Sequence, residues 1–349
     1  MEKMNVLSLF NGMSTGHKAL ENVGIKVNKY YSSEIKPYAI ELTQYHFPDT
    51  IQLGDVTKWK EWDIDWKNID LILSGSPCQD LSAAGKRAGI NGKKSSLFFV
   101  FVDILNHIKS LNPNVLFLQE NVGSASKLDV GIMSRALGVY PVRINSKLVT
   151  AQLRDRYYWS NIRTKQDGMF GDLVTDIPQP KDRKIMFKDI LTSGYVSRDK
   201  STALLEGTIS KNLSNMPLIE DWQKYLKRRE NLGMLMLVYE NNELRVKTNT
   251  NKGYDIVTEN DCLDLSFPTS TTRRGRVTKG KSPCLMESNN NLYAYTGEYV
   301  RLVNKIEMCR LQGFPDNYCD ILSDRKAGSL LGDGWTLPII EHIFSFIKK

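Results

Sequence analysis

VLSLFNGMSTG, residues Val6 to Gly16, is a short apolar run that stops at a glycine-bearing turn. Such a run reads as a buried strand, and the segment after it, His17 to Val23, has helical composition. A strand-like stretch, Lys29 to Ser33, comes next, and a helical stretch then leads towards Tyr45. Two further buried-strand runs, DLILSG (Asp70 to Gly75) and VLFLQENV (Val115 to Val122), flank Ser96 to Lys109, which has the apolar spacing of a helix. Short apolar strands alternating with helices specify an α/β fold with a mostly parallel sheet covered on both faces. Gly12 and Gly16 then fall at the carboxyl end of the first strand. Open parallel sheets bind nucleotide-like cofactors at that edge, although a plain tight turn would use the same residues.

The character of the chain changes after about Ile162. As far as about Tyr299 it is richer in turns and polar tracts, with one helix candidate, Pro217 to Arg229, and a hairpin candidate, MLVYENNELRV, turning at Asn241-Asn242. Helical patterns return from Val300, ending in an expected helix from Leu337 to Ile347. The expected organisation is therefore residues 1–165, an irregular β-containing domain over 166–299, and a segment 300–349 that returns to the first.

Hydrophobic residues make up 41% and charged residues 25% of the 349, an ordinary balance for a globular protein. No apolar run reaches the roughly 18 residues of a membrane span, and the first residues lack the pattern of a secretory signal. A cytoplasmic location is the expectation. The five cysteines contain no Cys-x-x-Cys pair and the four histidines no ligand spacing, so neither a metal site nor a disulfide framework is expected. The formal charge of +8 favours an anionic partner such as nucleic acid, or serves solubility alone.

Chemistry concentrates at strand ends. Glu34 closes YYSSE and Asp55 sits in LGDV; acids there can accept hydrogen bonds from ribose hydroxyls or an adenine amine, or sit as solvated loop acids. Cys78, in SGSPCQDLS, follows a buried strand; as a thiolate in an electropositive surround it would be a nucleophile. The loop SAAGKRAGINGKKSS behind it combines Gly85, Gly89 and Gly92 with Lys86, Arg87, Lys93 and Lys94, which suits a lid closing over phosphates. Glu120, in QENV, could donate a proton to a ring nitrogen. In AQLRDRYYWSN, Gln152, Arg154 and Arg156 alternate, so on a strand they share a face, where two guanidinium groups could favour a thiolate and hold a base carbonyl.

Taken in order, Phe-x-Gly, Pro-Cys-Gln, Glu-Asn-Val, Gln-x-Arg-x-Arg and Arg-Leu-Gln-Gly-Phe-Pro (Arg310 to Pro315) resemble the DNA (cytosine-5) methyltransferase family, as does the closing LGDGWTLPII. The resemblance covers roughly residues 4 to 163 and 300 to 345; SLFNGMSTG, GSPCQDLS and RYYWSN look closest to the animal de novo branch and the lid to bacterial and phage enzymes. It implies a Rossmann-like class I S-adenosylmethionine-dependent methyltransferase with a mostly parallel seven-stranded sheet and a smaller target-recognition domain, acting on double-stranded DNA by base flipping, without metal or membrane. In the family the cysteine thiolate attacks C6 of an extruded cytosine, C5 takes the methyl group, and a base removes the C5 proton as the cysteine leaves.

Carried over by resemblance, Cys78 is the nucleophile, Glu120 contacts N3 and the exocyclic amine, Arg154 holds O2, and Arg156 supports it. The cofactor is expected against Phe10, Gly12, Glu34, Ile35, Asp55, Val56, Pro77, Leu97 and Trp335. DNA is expected at Gln79, Ser82, Lys86 and Arg87 and at RRGRVTKGK, whose five cations (Arg273 and Arg276 among them) are read mostly as phosphate contacts. One departure is Gly332-Asp333, where the family usually carries Gly-Asn; a backbone contact there would leave activity intact. Three rivals share the motifs: a tRNA cytosine-5 methyltransferase, a catalytically silent regulatory homologue, and an enzyme that transfers a larger group from a modified cofactor. Nothing in the sequence fixes an oligomeric state, and a monomer is compatible with it.

Overall fold

The structure, a computed structural model, describes residues 3–77, 97–168, 171–192, 236–240, 243–266, 275–286, 292–295 and 300–348. In chain order the elements are β1 (Met4–Leu9), α1 (Thr15–Asn22), β2 (Val27–Ser33), α2 (Pro37–His46), β3 (Ile51–Gln52), β4 (Leu71–Ser74), α3 (Leu97–Leu111), β5 (Leu116–Val122), α4 (Lys127–Leu137), β6 (Val142–Asn145), β7 (Asp155–Ser160), β8 (Thr164–Asp167) and β9 (Asp172–Thr175). There follow α5 (Phe187–Ile190), β10 (Leu237–Glu240), β11 (Glu243–Lys247), β12 (Tyr254–Ile256), β13 (Cys262–Asp264), β14 (Arg276–Thr278), β15 (Leu292–Tyr295), β16 (Val300–Leu302), α6 (Lys305–Gln312), α7 (Asp324–Asp333) and α8 (Leu337–Phe344). The last helix stops three residues short of the expected Ile347, and the helix expected at Pro217 to Arg229 lies outside the described residues.

Two compact units emerge. The first comprises Met1–Ser146, Arg154–Lys181 and Gly334–Lys349; the second comprises Lys147–Leu153 and Asp182–Asp333. The return to the first unit thus falls at Gly334 rather than at 300, and residues 166–181 group with the first unit.

Among the described residues the first unit carries a seven-stranded sheet in the order β3-β2-β1-β4-β5-β7-β6. β1 pairs in parallel with β2 and β4, and β5 runs parallel to β4. Only β7 opposes its neighbours, running antiparallel to β5 and β6. Strand order reverses between β1 and β4, which puts a topological switch point at the carboxyl ends of these two strands.

Both faces are covered, which is why β4 is buried along its whole length. On one face Leu7, Leu9, Ile72, Phe117 and Trp159 pack with Phe98, Phe101 and Leu105 of α3 and Met133 of α4. On the other, α1 lies so close that a Cβ on Gly16 would come within 2.4 Å of Leu73 Cδ1. α4 is capped by Ser126, whose Oγ accepts from Asp129 N, and stops at Gly138 with φ 73°.

Trp159, fully buried, donates from its indole to Ser134 Oγ at 3.0 Å and so ties β7 to α4. Trp159→Ala is expected to cost ~3–5 kcal/mol of stability, because it empties a core position and strips Ser134 of its donor. A denaturant midpoint within error of the parent's would contradict that packing role.

His17 on α1 lies between the rings of Tyr30 and Phe47, with centroids 4.2 and 3.9 Å away. Burial outweighs the attraction of Glu21 and lowers its imidazole from 6.5 to about 4. Between those values the unfolded chain binds more protons than the folded one. The stabilisation is therefore complete above pH 6.5 and is lost as pH falls towards 4, by ~3 kcal/mol. Denaturant titrations across that window should show a shallower decline for His17→Phe; identical slopes would remove His17 as the source.

In the second unit, β10 and β11 form the expected hairpin, with Glu240 opposite Glu243, and β12 extends it. A second antiparallel sheet runs β14-β13-β15-β16. Met236, Leu244, Val246, Val257, Leu263, Leu265 and Tyr293 form the core of this unit. Asn304 and Glu307 make a capping box on α6, and fully buried Glu307 also accepts from Thr192 N at 2.8 Å.

Candidate active site

The turn after β1 is backbone under constraint. Phe10, Gly12 and Ser14 take φ of 55°, 57° and 57°, and for a residue as bulky as phenylalanine the left-handed region is a strained conformation. A buried polar network holds it. Asn11 Nδ2 donates to Ser14 Oγ at 2.8 Å, Tyr30 OH donates to Asn11 Oδ1 at 3.2 Å, and Ser14 shares a 2.8 Å hydrogen bond with Thr43. Glu34, immediately after β2, accepts from Gly12 N at 2.8 Å through one oxygen and from Ile35 N and Lys36 N through the other. Ile35 beside it is an apolar side chain that is 71% exposed.

Asp55 turns its carboxylate back onto Thr57, accepting from its N and Oγ1 at 2.9 Å each, and these bonds hold the acid below its ordinary value. Val56 is buried, while Phe10 and Leu97 are partly buried against the core.

A second cluster stands where β5, β7 and the segment before α8 meet. Glu120 lies opposite Tyr158 across the β5/β7 ladder, with Val122 opposite Arg156, so Glu120 and Arg156 are diagonal neighbours on one face. Arg156 Nε meets Glu120 Oε1 at 2.8 Å. The other carboxylate oxygen, Oε2, accepts from Trp335 Nε1 at 3.0 Å. Arg154, only 3% exposed, donates to Gly334 O at 2.8 Å, and Thr336 Oγ1 shares a 2.8 Å hydrogen bond with Ser146. Three successive residues, Gly334 to Thr336, are thus tied one by one to this end of the sheet. Burial, reinforced by the Glu120 charge, pushes the Tyr158 phenol well above its ordinary value and keeps it neutral.

Cys78 itself lies outside the described residues, as do Gln79, Ser82, Lys86, Arg87 and Arg273. The chain leading to Cys78 is pinned nevertheless. Ser76 Oγ accepts from Gln119 Nε2 at 3.1 Å and from Asn121 Nδ2 at 3.5 Å, the residues on either side of Glu120. Pro77 follows directly. Gly75 is there because Trp335 leaves no room: a Cβ on it would sit 2.8 Å from the indole nitrogen. Sequence reading passed over Gly75, Ser76, Gln119 and Asn121. The one available signal was Gln119, an amide inside an apolar strand and costly to bury unless employed.

A profile of C-5 cytosine-specific DNA methylases matches residues 4–349, essentially the whole chain. The chain belongs to that family. It is 26% identical over 353 residues to the type II methyltransferase M.HpaII of Haemophilus parainfluenzae, covering 97% of this chain and 88% of that one. With the type II methyltransferase M1.ScrFI of Lactococcus lactis subsp. cremoris it shares 28% identity over 351 residues, 98% of this chain and 77% of the other. In fold it is similar to the Entamoeba histolytica methyltransferase EhMeth (TM-score 0.57, 15% identity, all of both chains). The S. pombe Dnmt2 methyltransferase is comparably similar (TM-score 0.56, 14% identity, 99% of this chain and 98% of that one).

Within this DNA cytosine-5 methyltransferase, some expected roles are revised. β7 begins at Asp155, so of the three residues expected to alternate on one strand only Arg156 lies on it; Arg154 immediately precedes the strand, and Gln152 belongs to the second unit, bridged to Ser282, with its buried amide unpartnered. Of the five cations in Arg273 to Lys281, two serve the protein itself. Lys279 donates to Asp261 Oδ2 at 2.5 Å and to Ile256 O, and Lys281 donates to the carbonyls of Lys147, Thr150 and Ile185. Arg276 is exposed on β14. The Arg-Leu-Gln-Gly-Phe-Pro segment also works internally: Arg310 forms a two-pronged pair with Asp316, and buried Gln312 donates to Leu331 O. Among the described residues no group of His, Cys, Asp and Glu could hold a metal, and no helix is long and apolar enough to cross a membrane.

Proposed function

We propose that the chain transfers a methyl group from S-adenosylmethionine to C5 of a cytosine extruded from duplex DNA, with Cys78 as nucleophile, and that it does so as a modification enzyme of the restriction type. The observation that carries this reading is Glu120, a carboxylate with Arg156 on one oxygen and an indole on the other, standing at the end of β5 beside the strand end that leads to Cys78.

The cofactor fits the residues present. The strained, network-held turn of Phe10 to Ser14 opens at the switch point. Glu34 has acceptor capacity left for ribose hydroxyls, and exposed Ile35 offers an apolar wall for adenine. When bound, S-adenosylmethionine supplies a methyl group on a sulfonium. The chain's own residues do the rest. Arg154 and Arg156 make the surround positive and favour a Cys78 thiolate. The thiolate adds to C6, Glu120 accepts from the exocyclic amine of the ring and, once it has itself taken up a proton from solvent, can give that proton to N3, and Arg154 holds O2. Once C5 is methylated, loss of its proton to a base expels the thiolate. The base must leave the stack first, because C6 is inaccessible within it. Residues 182–333 then supply target recognition, and the exposure of Arg276 supports a phosphate contact there.

The test is mass spectrometry of nucleosides from mixed-sequence duplex DNA incubated with the protein and S-adenosylmethionine, with tRNA in parallel. 5-Methylcytosine in the DNA is expected; its appearance in tRNA alone would overturn the DNA assignment.

A further inference from the structure

Trp335 lies in the segment whose family role is to wall the cofactor, yet the polar edge of its indole points elsewhere. Nε1 donates to Glu120 Oε2 at 3.0 Å, while Arg156 holds Oε1 at 2.8 Å. The carboxylate is gripped from both ends, one oxygen by a guanidinium and the other by an indole. The indole is itself fixed. Gly334 before it is held by Arg154, Thr336 after it by Ser146, and Gly75 presses against its ring closely enough that a Cβ there would lie 2.8 Å from Nε1, 3.3 Å from Cε2 and 3.4 Å from Cζ2.

We infer that Trp335 is a positioning residue for Glu120, aiming the carboxylate at the extruded base through Nε1, in addition to any contact of its ring with the cofactor. The inference rests on the proposed function. It follows from geometry that a ring serving only as a cofactor wall would not need: the N–H is spent on the acid, and the glycine beneath the ring keeps it within reach. Arg156 alone would leave the carboxylate free to swing about the Oε1 contact. With the second donor in place, the plane of the carboxylate is set before the base arrives, so its orientation need not be found during the reaction.

The experiment removes the N–H and keeps an aromatic ring. Trp335→Phe is expected to lower kcat about tenfold at saturating DNA and cofactor, the size of one lost directed hydrogen bond. Its affinity for S-adenosylhomocysteine, measured by calorimetry, should stay within about threefold of the parent's. Trp335→His, which restores a ring N–H, should recover part of the loss. Gly75→Ala, which keeps the tryptophan but displaces its indole from the acid, should reproduce the loss in kcat. In a Glu120→Gln background Trp335→Phe should cost at most about twofold, because there is no longer an acid to aim.

Two results would overturn the inference. One is a fall in S-adenosylhomocysteine affinity that accounts for the whole loss of kcat/KM. The other is a loss in kcat that persists undiminished in the Glu120→Gln background. Absence of 5-methylcytosine from the parent enzyme's reactions would sink the proposed function itself, and this inference with it.

Discussion

Cys78→Ser is expected to leave duplex DNA without detectable 5-methylcytosine, a fall of at least ~10³ in kcat or ~4 kcal/mol in barrier, while S-adenosylmethionine binds as it does to the parent. A serine hydroxyl is far less acidic than a thiol, and an alcohol nucleophile requires an adjacent base to take its proton. The side chains that bind Glu120 are the Arg156 guanidinium and the Trp335 indole, donors that cannot deprotonate an alcohol. Cofactor binding should survive because the turn of Phe10 to Ser14 and Glu34 is tied together by hydrogen bonds among its own residues. Calorimetry and nucleoside mass spectrometry on the same preparation separate the two effects. Turnover above about one per cent of the parent rate would end the assignment of Cys78 as nucleophile.

The second large effect belongs to Glu120→Gln. The amide keeps the shape and an oxygen able to accept from Arg156 or Trp335, so the fold should hold, but it can neither carry the negative charge that pairs with Arg156 nor give a proton to N3. Loss of a positioned general acid typically costs 10²–10⁴ in rate, and a fall of ~10² or more in single-turnover rate is expected. Some stability should be lost as well, since the Arg156 guanidinium is largely buried and would lose its ion pair with Glu120. A near-normal single-turnover rate would show that the carboxylate is structural.

Much of the first unit could be read from the sequence because parallel strands buried on both faces leave continuous apolar runs, and the runs at Val6, Asp70 and Val115 became β1, β4 and β5. The second unit was harder. Several of its strands, such as Tyr254–Ile256 and Arg276–Thr278, are three residues long, too short for alternation to show. The unit boundaries slipped for a related reason. β8 and β9 are polar and look like irregular chain, but Thr175 Oγ1 of β9 accepts from Ser160 N in β7 and so joins this hairpin to the first unit. At the site, Glu120, Arg154 and Arg156 could be singled out in the sequence because charged groups at apolar strand ends stand out. Gly75, Ser76 and Gln119 were not, because their work is done against partners distant in sequence.

The pinning of Gly334 to Thr336 has a consequence for synthesis on the ribosome. Glu120 and Trp335 are separated by 215 positions. At ~5–20 residues per second, a ribosome needs ~10–40 s to travel from one to the other. For most of that interval the emerging chain already carries its acid and both arginines but lacks the segment that secures them. An enzyme able to mark any accessible cytosine in the cell that makes it would thus stay inert until translation has passed the last piece of its own active site.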